Sequence, residues 1–143
     1  MKEDDILKRL PYGKDFCFVD GINEIHENGV VGWYRFRESE SFYKHHFKNN
    51  PVTPGVILTE CMAQIGLVCF GIYLNPSLEH ANIVMTENHV IFEKIVLPNE
   101  VVIVSSTLVY YRFNKLKVQV NMRNENNEII ARGTLSGMIT DHF

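Results

Sequence analysis

The sequence predicts an α+β domain in which one curved antiparallel sheet wraps a single long helix. Three observations carry that expectation. The stretch Val56–Leu74, VILTECMAQIGLVCFGIYL, is apolar on nearly every face of a helix. Segments before and after it are rich in β-branched and aromatic residues, as strands are. A helix that is apolar all round has to be covered all round, and a sheet curved about it does that.

The elements follow in order. Residues 3–9 read as a short helix stopped by Pro11. Phe16–Ile25 and Val30–Arg37 read as strands joined by a turn at Glu27-Asn28-Gly29, where Asn-Gly is a strong hairpin signal. Residues 38–53, ESESFYKHHFKNNPVT, are polar, aromatic and proline-containing, which predicts a loop with a short helical turn. Thr53-Pro54-Gly55 opens the long helix, about residues 54–74, with Thr53 as N-cap and Pro54 in the first helical position. Asn75-Pro76 closes it. The period then changes. Ile83–Phe92 and Val101–Tyr111 have strand composition, and Lys117–Arg123 alternates strictly, as a strand with one wet face should. Residues 124–128 form a turn and Ile129–Ile139 the last strand. Two strands, a buried helix and about four further strands make the layout called a hotdog fold. With no repeat or linker, residues 1–143 are expected to form one domain.

Composition excludes several function classes. The chain is 45% apolar and 22% charged, enough for a packed core. Its net charge of -3, with no long basic run, argues against nucleic-acid binding. Cys17, Cys61 and Cys69 are an odd set without a CxxC pair, so neither a disulfide framework nor a zinc site is expected, and reduced thiols fit a cytoplasmic protein. The N-terminus, MKEDDILKRLP, is too polar and acidic for a signal peptide. Val56–Leu74 has the length of a membrane span, but Glu60 and Gln64 lie in its first half and no basic cluster flanks it. It reads as a core helix, with no membrane span. His26, His80, His89 and His142 show no ligand spacing, so no metal is expected.

Polar chemistry gathers in two places: His45-His46 in the loop, and Glu60 with Gln64 on the apolar helix. The spacing of Glu60 and Gln64 puts them on one helix face. A carboxyl on a buried helix is costly unless paired or protonated, and desolvation raises its pKa. The plainer alternatives are a Glu that reaches water and a solvated loop histidine. Spacing does not join the two places. A third element is the start of the helix at Pro54-Gly55, where amides lack helical partners and glycine lets a carbonyl approach closely. Base, acid and oxyanion donor are the set that removes a proton next to a carbonyl.

The run His45-His46-Phe47-Lys48-Asn49-Asn50-Pro51-Val52-Thr53-Pro54-Gly55-Val56, followed by Glu60-Cys61-Met62-Ala63-Gln64, resembles the 3-hydroxyacyl-(acyl-carrier-protein) dehydratases of the FabA/FabZ type. Their pattern is G-H-F-P-x-x-P-V-M-P-G-V, then an acidic residue and A-x-A-Q. Leu10-Pro11, Phe18-Val19-Asp20, Phe92 and Pro98 match further family positions. The resemblance implies that His46 is the catalytic histidine and Glu60 the catalytic carboxyl. It implies that the Gly55 N–H binds the thioester carbonyl, and that Gln64, Phe47 and Val56 stand at the substrate. It also implies a 3-hydroxyacyl chain on acyl carrier protein as substrate, an acyl tunnel beside the helix, and no cofactor. In this family the histidine and the carboxyl of one site come from different subunits, which implies a homodimer or an oligomer of dimers.

Some positions depart from the pattern. His45 replaces the glycine and Lys48 the proline of G-H-F-P, Tyr12-Gly13 stands where His-Arg is usual, and Asn99 stands where a glycine precedes the acidic residue kept as Glu100. None removes a catalytic group. They point to a specialised pathway, such as an aryl polyene or other polyketide-like product, and Phe42, Tyr43, Phe47 and Phe92 are expected to line the tunnel. Lys44, Lys48, Lys94 and Arg112 are candidates for a basic rim facing an acidic carrier protein. Two rival functions stand beside dehydration. A hotdog thioesterase needs no histidine opposite its carboxylate, and a non-catalytic acyl-binding subunit would be expected to lose His46 or Glu60.

Overall fold

The computed structural model describes residues 1–79 and 82–140, so His80 and His142 lie outside the described residues. Helix α1 (Glu3–Lys8) precedes the hairpin β1 (Gly21–His26) and β2 (Gly29–Arg35). The central helix α2 (Gly55–Leu74) follows, then β3 (Asn82–Phe92), β4 (Val101–Arg112), β5 (Lys115–Asn124) and β6 (Ile129–Thr140). They form one six-stranded sheet in the order β1-β2-β4-β5-β6-β3, every neighbouring pair antiparallel. The helix and the sheet around it are the hotdog arrangement expected from the order of elements.

Alternation makes the wrap. Val102, Val104 and Ser106 on β4, and Leu116, Val118, Val120 and Met122 on β5, are buried while their neighbours are less so. They share one core with Leu58, Met62, Ile65, Phe70 and Ile72 of α2. Each such side chain fully buried contributes about 1.5–3 kcal/mol. The apolar helix with the length of a membrane span is mostly enclosed by the rest of the chain, 72% of it buried.

Three details differ from the sequence reading. The segment expected to begin the first strand at Phe16 does not pair until Gly21: Lys14–Phe16 is a 3-10 turn and residues 17–20 run irregularly. The reason is a competing partner, because the Phe18 amide donates to the Gln64 side chain rather than to a neighbouring strand. Thr53 does not cap α2 either. Its hydroxyl pairs with the buried Tyr43 hydroxyl, Pro54 takes the cap position, and the helix starts at Gly55. Finally, α2 is not uniform. Gln64–Cys69 forms a wider π-helical segment, against which the Ser106 hydroxyl donates to the Gly66 carbonyl at 2.8 Å. A Cβ at Gly66 would press on Ser106 and Val120 at 3.1 and 3.2 Å.

Asn99 takes the left-handed conformation (φ 72°), which asparagine tolerates. At the end of the sheet, β3 pairs only with β6 among the described residues and exposes Val84, Ile91 and Phe92.

Candidate active site

His46 sits just after the 3-10 turn Ser41–Lys44, in a loop tied down at both ends. Its amide donates to the Phe42 carbonyl at 3.1 Å and its carbonyl accepts from Val52 N–H at 2.8 Å. Further on, the Thr53 amide donates to the Val96 carbonyl at 2.9 Å. The imidazole Nδ1 lies 3.0 Å from the Val52 carbonyl oxygen. A carbonyl only accepts, so Nδ1 carries the hydrogen and the neutral ring keeps its lone pair on Nε2. That is the tautomer of a base. Phe47 stacks on the ring, centroids 4.2 Å apart, and is itself exposed.

Gly55 and Val56 carry the first two amides of α2. The first helical amides with a backbone acceptor are those of Ile57 and Leu58, both on the Pro54 carbonyl at 3.0 and 3.1 Å. The Gly55 and Val56 amides are thus available to an outside acceptor. The Phe92 ring borders the spot, 3.5 Å from where a Gly55 Cβ would lie, and Val56 is exposed.

Glu60 stands further along the same helix, half-buried. Burial pushes its carboxyl above the usual carboxylate range, opposed only in part by the hydrogen bond that Oε2 accepts from Gln64 Nε2 at 3.0 Å. Gln64 is fully buried; its Oε1 accepts from Phe18 N–H at 2.7 Å and its Nε2 donates to the Phe16 carbonyl at 2.9 Å. Every polar atom of the Gln64 side chain is thus engaged within the chain. Tyr12, which the sequence reading singled out as a departure from the family pattern, is a neighbour of Glu60. Burial first, then the charge of Glu60, pushes its phenol above the ordinary tyrosine value, which puts Tyr12 in the surroundings of Glu60.

Other expectations resolve more simply. Tyr43 is buried in the core, and the half-buried Phe42 packs against it, meeting the rings of Phe18 and Phe36. Only Phe47 and Phe92 of the four rings stay at the surface beside His46 and Gly55. Of the basic rim, Lys44 and Lys48 are exposed around His46, whereas Lys94 pairs with Glu128 at 3.1 Å. Arg112 stacks over Tyr110, on the hairpin whose Tyr111 hydroxyl bonds Asn75 past the far end of α2. The Cys61 and Cys69 thiols are buried and pushed above the ordinary thiol value, which makes poor nucleophiles.

Within one chain the structure does not join the two ends of this chemistry. His46 bonds Val52 and Glu60 bonds Gln64, and no described contact links the two. A cleft of about 590 Å³ opens between residues 14–20 and 34–42, but neither His46, Gly55 nor Glu60 lines it.

Comparison with known proteins adds to this geometry. Residues 10–135 match the family described as the FabA-like domain. The 3-hydroxyacyl-(acyl-carrier-protein) dehydratase FabZ of Caldicellulosiruptor bescii is 29% identical over 136 residues, which cover 92% of this chain and 94% of that protein. The FabZ of Petrotoga mobilis is 39% identical over 64 residues, 45% of this chain and 46% of that protein. Among solved structures, the dehydratase heterocomplex ApeI:P from Xenorhabdus doucetiae aligns with a TM-score of 0.79 at 11% identity, over 94% of this chain and 90% of that one. Zebra fish thioesterase superfamily member 2 aligns with a TM-score of 0.70 at 12% identity, over 96% and 95%. At such identities the two structures share a fold with this chain and nothing finer.

Proposed function

Because the chain belongs to the FabA-like family, we propose that it removes water from a 3-hydroxyacyl thioester on acyl carrier protein, giving the trans-2-enoyl thioester. The observation that carries this reading is the contrast between its two polar ends. The Val52 carbonyl fixes the hydrogen of a neutral His46 ring on Nδ1, which leaves Nε2 as its basic atom, and Glu60 is held where burial favours its protonated form. That is the starting state a dehydratase needs.

The steps follow from those states. The thioester carbonyl accepts a hydrogen bond from Gly55 N–H, which stabilises enolate-like charge at C2. His46 Nε2 takes a C2 proton, and the electron pair left behind forms the C2–C3 double bond. The C3–O bond breaks with its electrons on oxygen, and that oxygen takes the Glu60 proton to leave as water. Imidazolium and carboxylate remain, and passing one proton from His46 to Glu60 through solvent resets the site.

A homodimer completes it. His46 and Glu60 do not meet in one chain, β3 leaves an edge without a partner, and Phe47, Val56, Val84, Ile91 and Phe92 are exposed apolar residues. Pairing two chains through such surfaces would bring His46 of one against Glu60 of the other. The acidic carrier protein then meets Lys44 and Lys48 beside His46.

Purified protein incubated with 3-hydroxyacyl thioesters tests the reaction when enoyl absorbance and free thiol are followed together. Enoyl product without free thiol is the expected result. Free thiol without enoyl product means a thioesterase, and neither product means an acyl-binding subunit. The acyl group is a finer question. Phe47 and Phe92 favour a flat conjugated chain by offset stacking, about 0.5–1.5 kcal/mol per good pair. A polyene 3-hydroxyacyl substrate should therefore show a kcat/KM about two- to tenfold above a saturated chain of equal length. Equal values return the protein to ordinary fatty-acid synthesis.

A further inference from the structure

We infer that the hydrogen bond between the Tyr43 and Thr53 hydroxyls is a positioning device that holds the His46 imidazole at a fixed place relative to the Gly55 N–H. The inference rests on the dehydratase reading, in which those two groups act on one thioester, and it gives a role to two buried residues outside the reacting set. Its basis is how the loop from Tyr43 to Thr53 is closed. At the tip, the amides of Phe47 and Asn50 each donate to the other's carbonyl, at 3.1 and 3.0 Å. In the middle, His46 faces Val52 through a backbone bond of 2.8 Å and the ring bond of 3.0 Å. At the neck both amides turn elsewhere: Tyr43 N–H donates to the Glu40 carbonyl and Thr53 N–H to the Val96 carbonyl. The two hydroxyls join the neck instead.

Both hydroxyls are sealed in. Tyr43 is 6% exposed and Thr53 3%, so breaking the pair by removing one partner strands the other away from water. Burial also pushes the Tyr43 phenol up to about 12, so the pair does not titrate near neutral pH. The neck is close to both reacting groups along the chain: His46 follows Tyr43 by three residues, and Gly55 follows Thr53 by two. The family pattern has methionine where Thr53 stands, and a thioether offers at most a weak acceptor, so the hydroxyl pair belongs to this chain. Removing the C2 proton needs the carbonyl on Gly55 N–H and the C2 hydrogen within reach of His46 Nε2 at the same moment. A misplacement of about 1 Å costs on the order of 100-fold in such an arrangement. A loosened neck therefore acts on kcat, while the surfaces that bind the acyl chain persist.

Three substitutions and one spectrum test this. Thr53→Val keeps nearly the same shape without the hydroxyl, so kcat should fall about tenfold with KM within about twofold. Tyr43→Phe should do the same. Thr53→Ser keeps the hydroxyl and should hold kcat within about twofold of the wild type. A merely structural pair would lower the melting temperature of Thr53→Val and leave the kcat of the folded protein unchanged, and that result overturns the inference. A Thr53→Ser protein as slow as Thr53→Val overturns it too. Should the single variants fail to fold, Tyr43→Phe combined with Thr53→Val decides, because it leaves no partner stranded. Wild-type kcat in that protein overturns the inference, and a loss of about tenfold supports it. If the wild-type protein catalyses no dehydration, the proposed reaction falls by itself, and the tie is read from the Nδ1–H proton resonance of His46, assigned by its loss in His46→Ala. That resonance should be sharp in the wild type and broadened by exchange in Thr53→Val or in the combined variant. Equal line widths overturn the inference.

Discussion

Replacing His46 with alanine lowers kcat by a factor on the order of 100 or more, the usual contribution of a positioned base. Folding should survive the change, because the ring is only partly buried and its one hydrogen bond is to a loop carbonyl. A sharper expectation follows from the separation of His46 and Glu60. Neither His46→Ala nor Glu60→Gln homodimers should turn over substrate well, yet mixing them under subunit exchange should restore activity. A mixed dimer regains one site with an intact histidine from one chain and an intact carboxyl from the other. If exchange is demonstrated and activity stays flat, each site draws both groups from a single chain, and the dimeric site is wrong.

The second large effect belongs to Glu60. Glu60→Gln should cost on the order of 100-fold or more in kcat, since an amide cannot supply the proton. Near-normal turnover would remove Glu60 from the role of acid. Its pH dependence has a definite sign. Burial raises the folded carboxyl above its unfolded value, so the protonated form persists to higher pH than in an ordinary glutamic acid. Activity should be lost as pH rises through that raised value. Stability carries the same sign. A raised folded pKa contributes stability below the unfolded value and loses it as pH rises through the folded one. Glu60→Gln escapes that loss, and its melting temperature near pH 8 should equal or exceed that of the wild type. A variant both inactive and clearly less stable there would point to a structural role for the carboxyl.

Much of this was legible before any coordinates. The strands after the helix fall within a residue or two of their sequence bounds, because alternation on a half-buried sheet repeats locally. Val56–Leu74 was recognisable as a core helix for a similar reason: Glu60 and Gln64 interrupt what would otherwise suit a lipid environment. His46, Gly55 and Glu60 were recognisable as candidates because each is a residue type out of keeping with its surroundings.

What failed to show in the sequence depends on partners far along the chain. The irregular run before β1 comes from Phe18, whose amide is taken by a side chain 46 residues away. Thr53 has the composition of a cap, but a buried tyrosine claimed its hydroxyl. Phe42 and Tyr43 looked like tunnel residues, but Phe42 packs on the core rings of Phe18 and Phe36, and Tyr43 is buried with its hydroxyl on Thr53. Periodicity, caps and motif spacing come from interactions within a few residues, and so the order of elements and the candidate groups could be read from the chain alone. The tautomer of His46, the setting of Glu60 and the locked amide of Gln64 could not. Each depends on which buried donor meets which buried acceptor, and that pairing exists only once distant segments are packed together and water is gone.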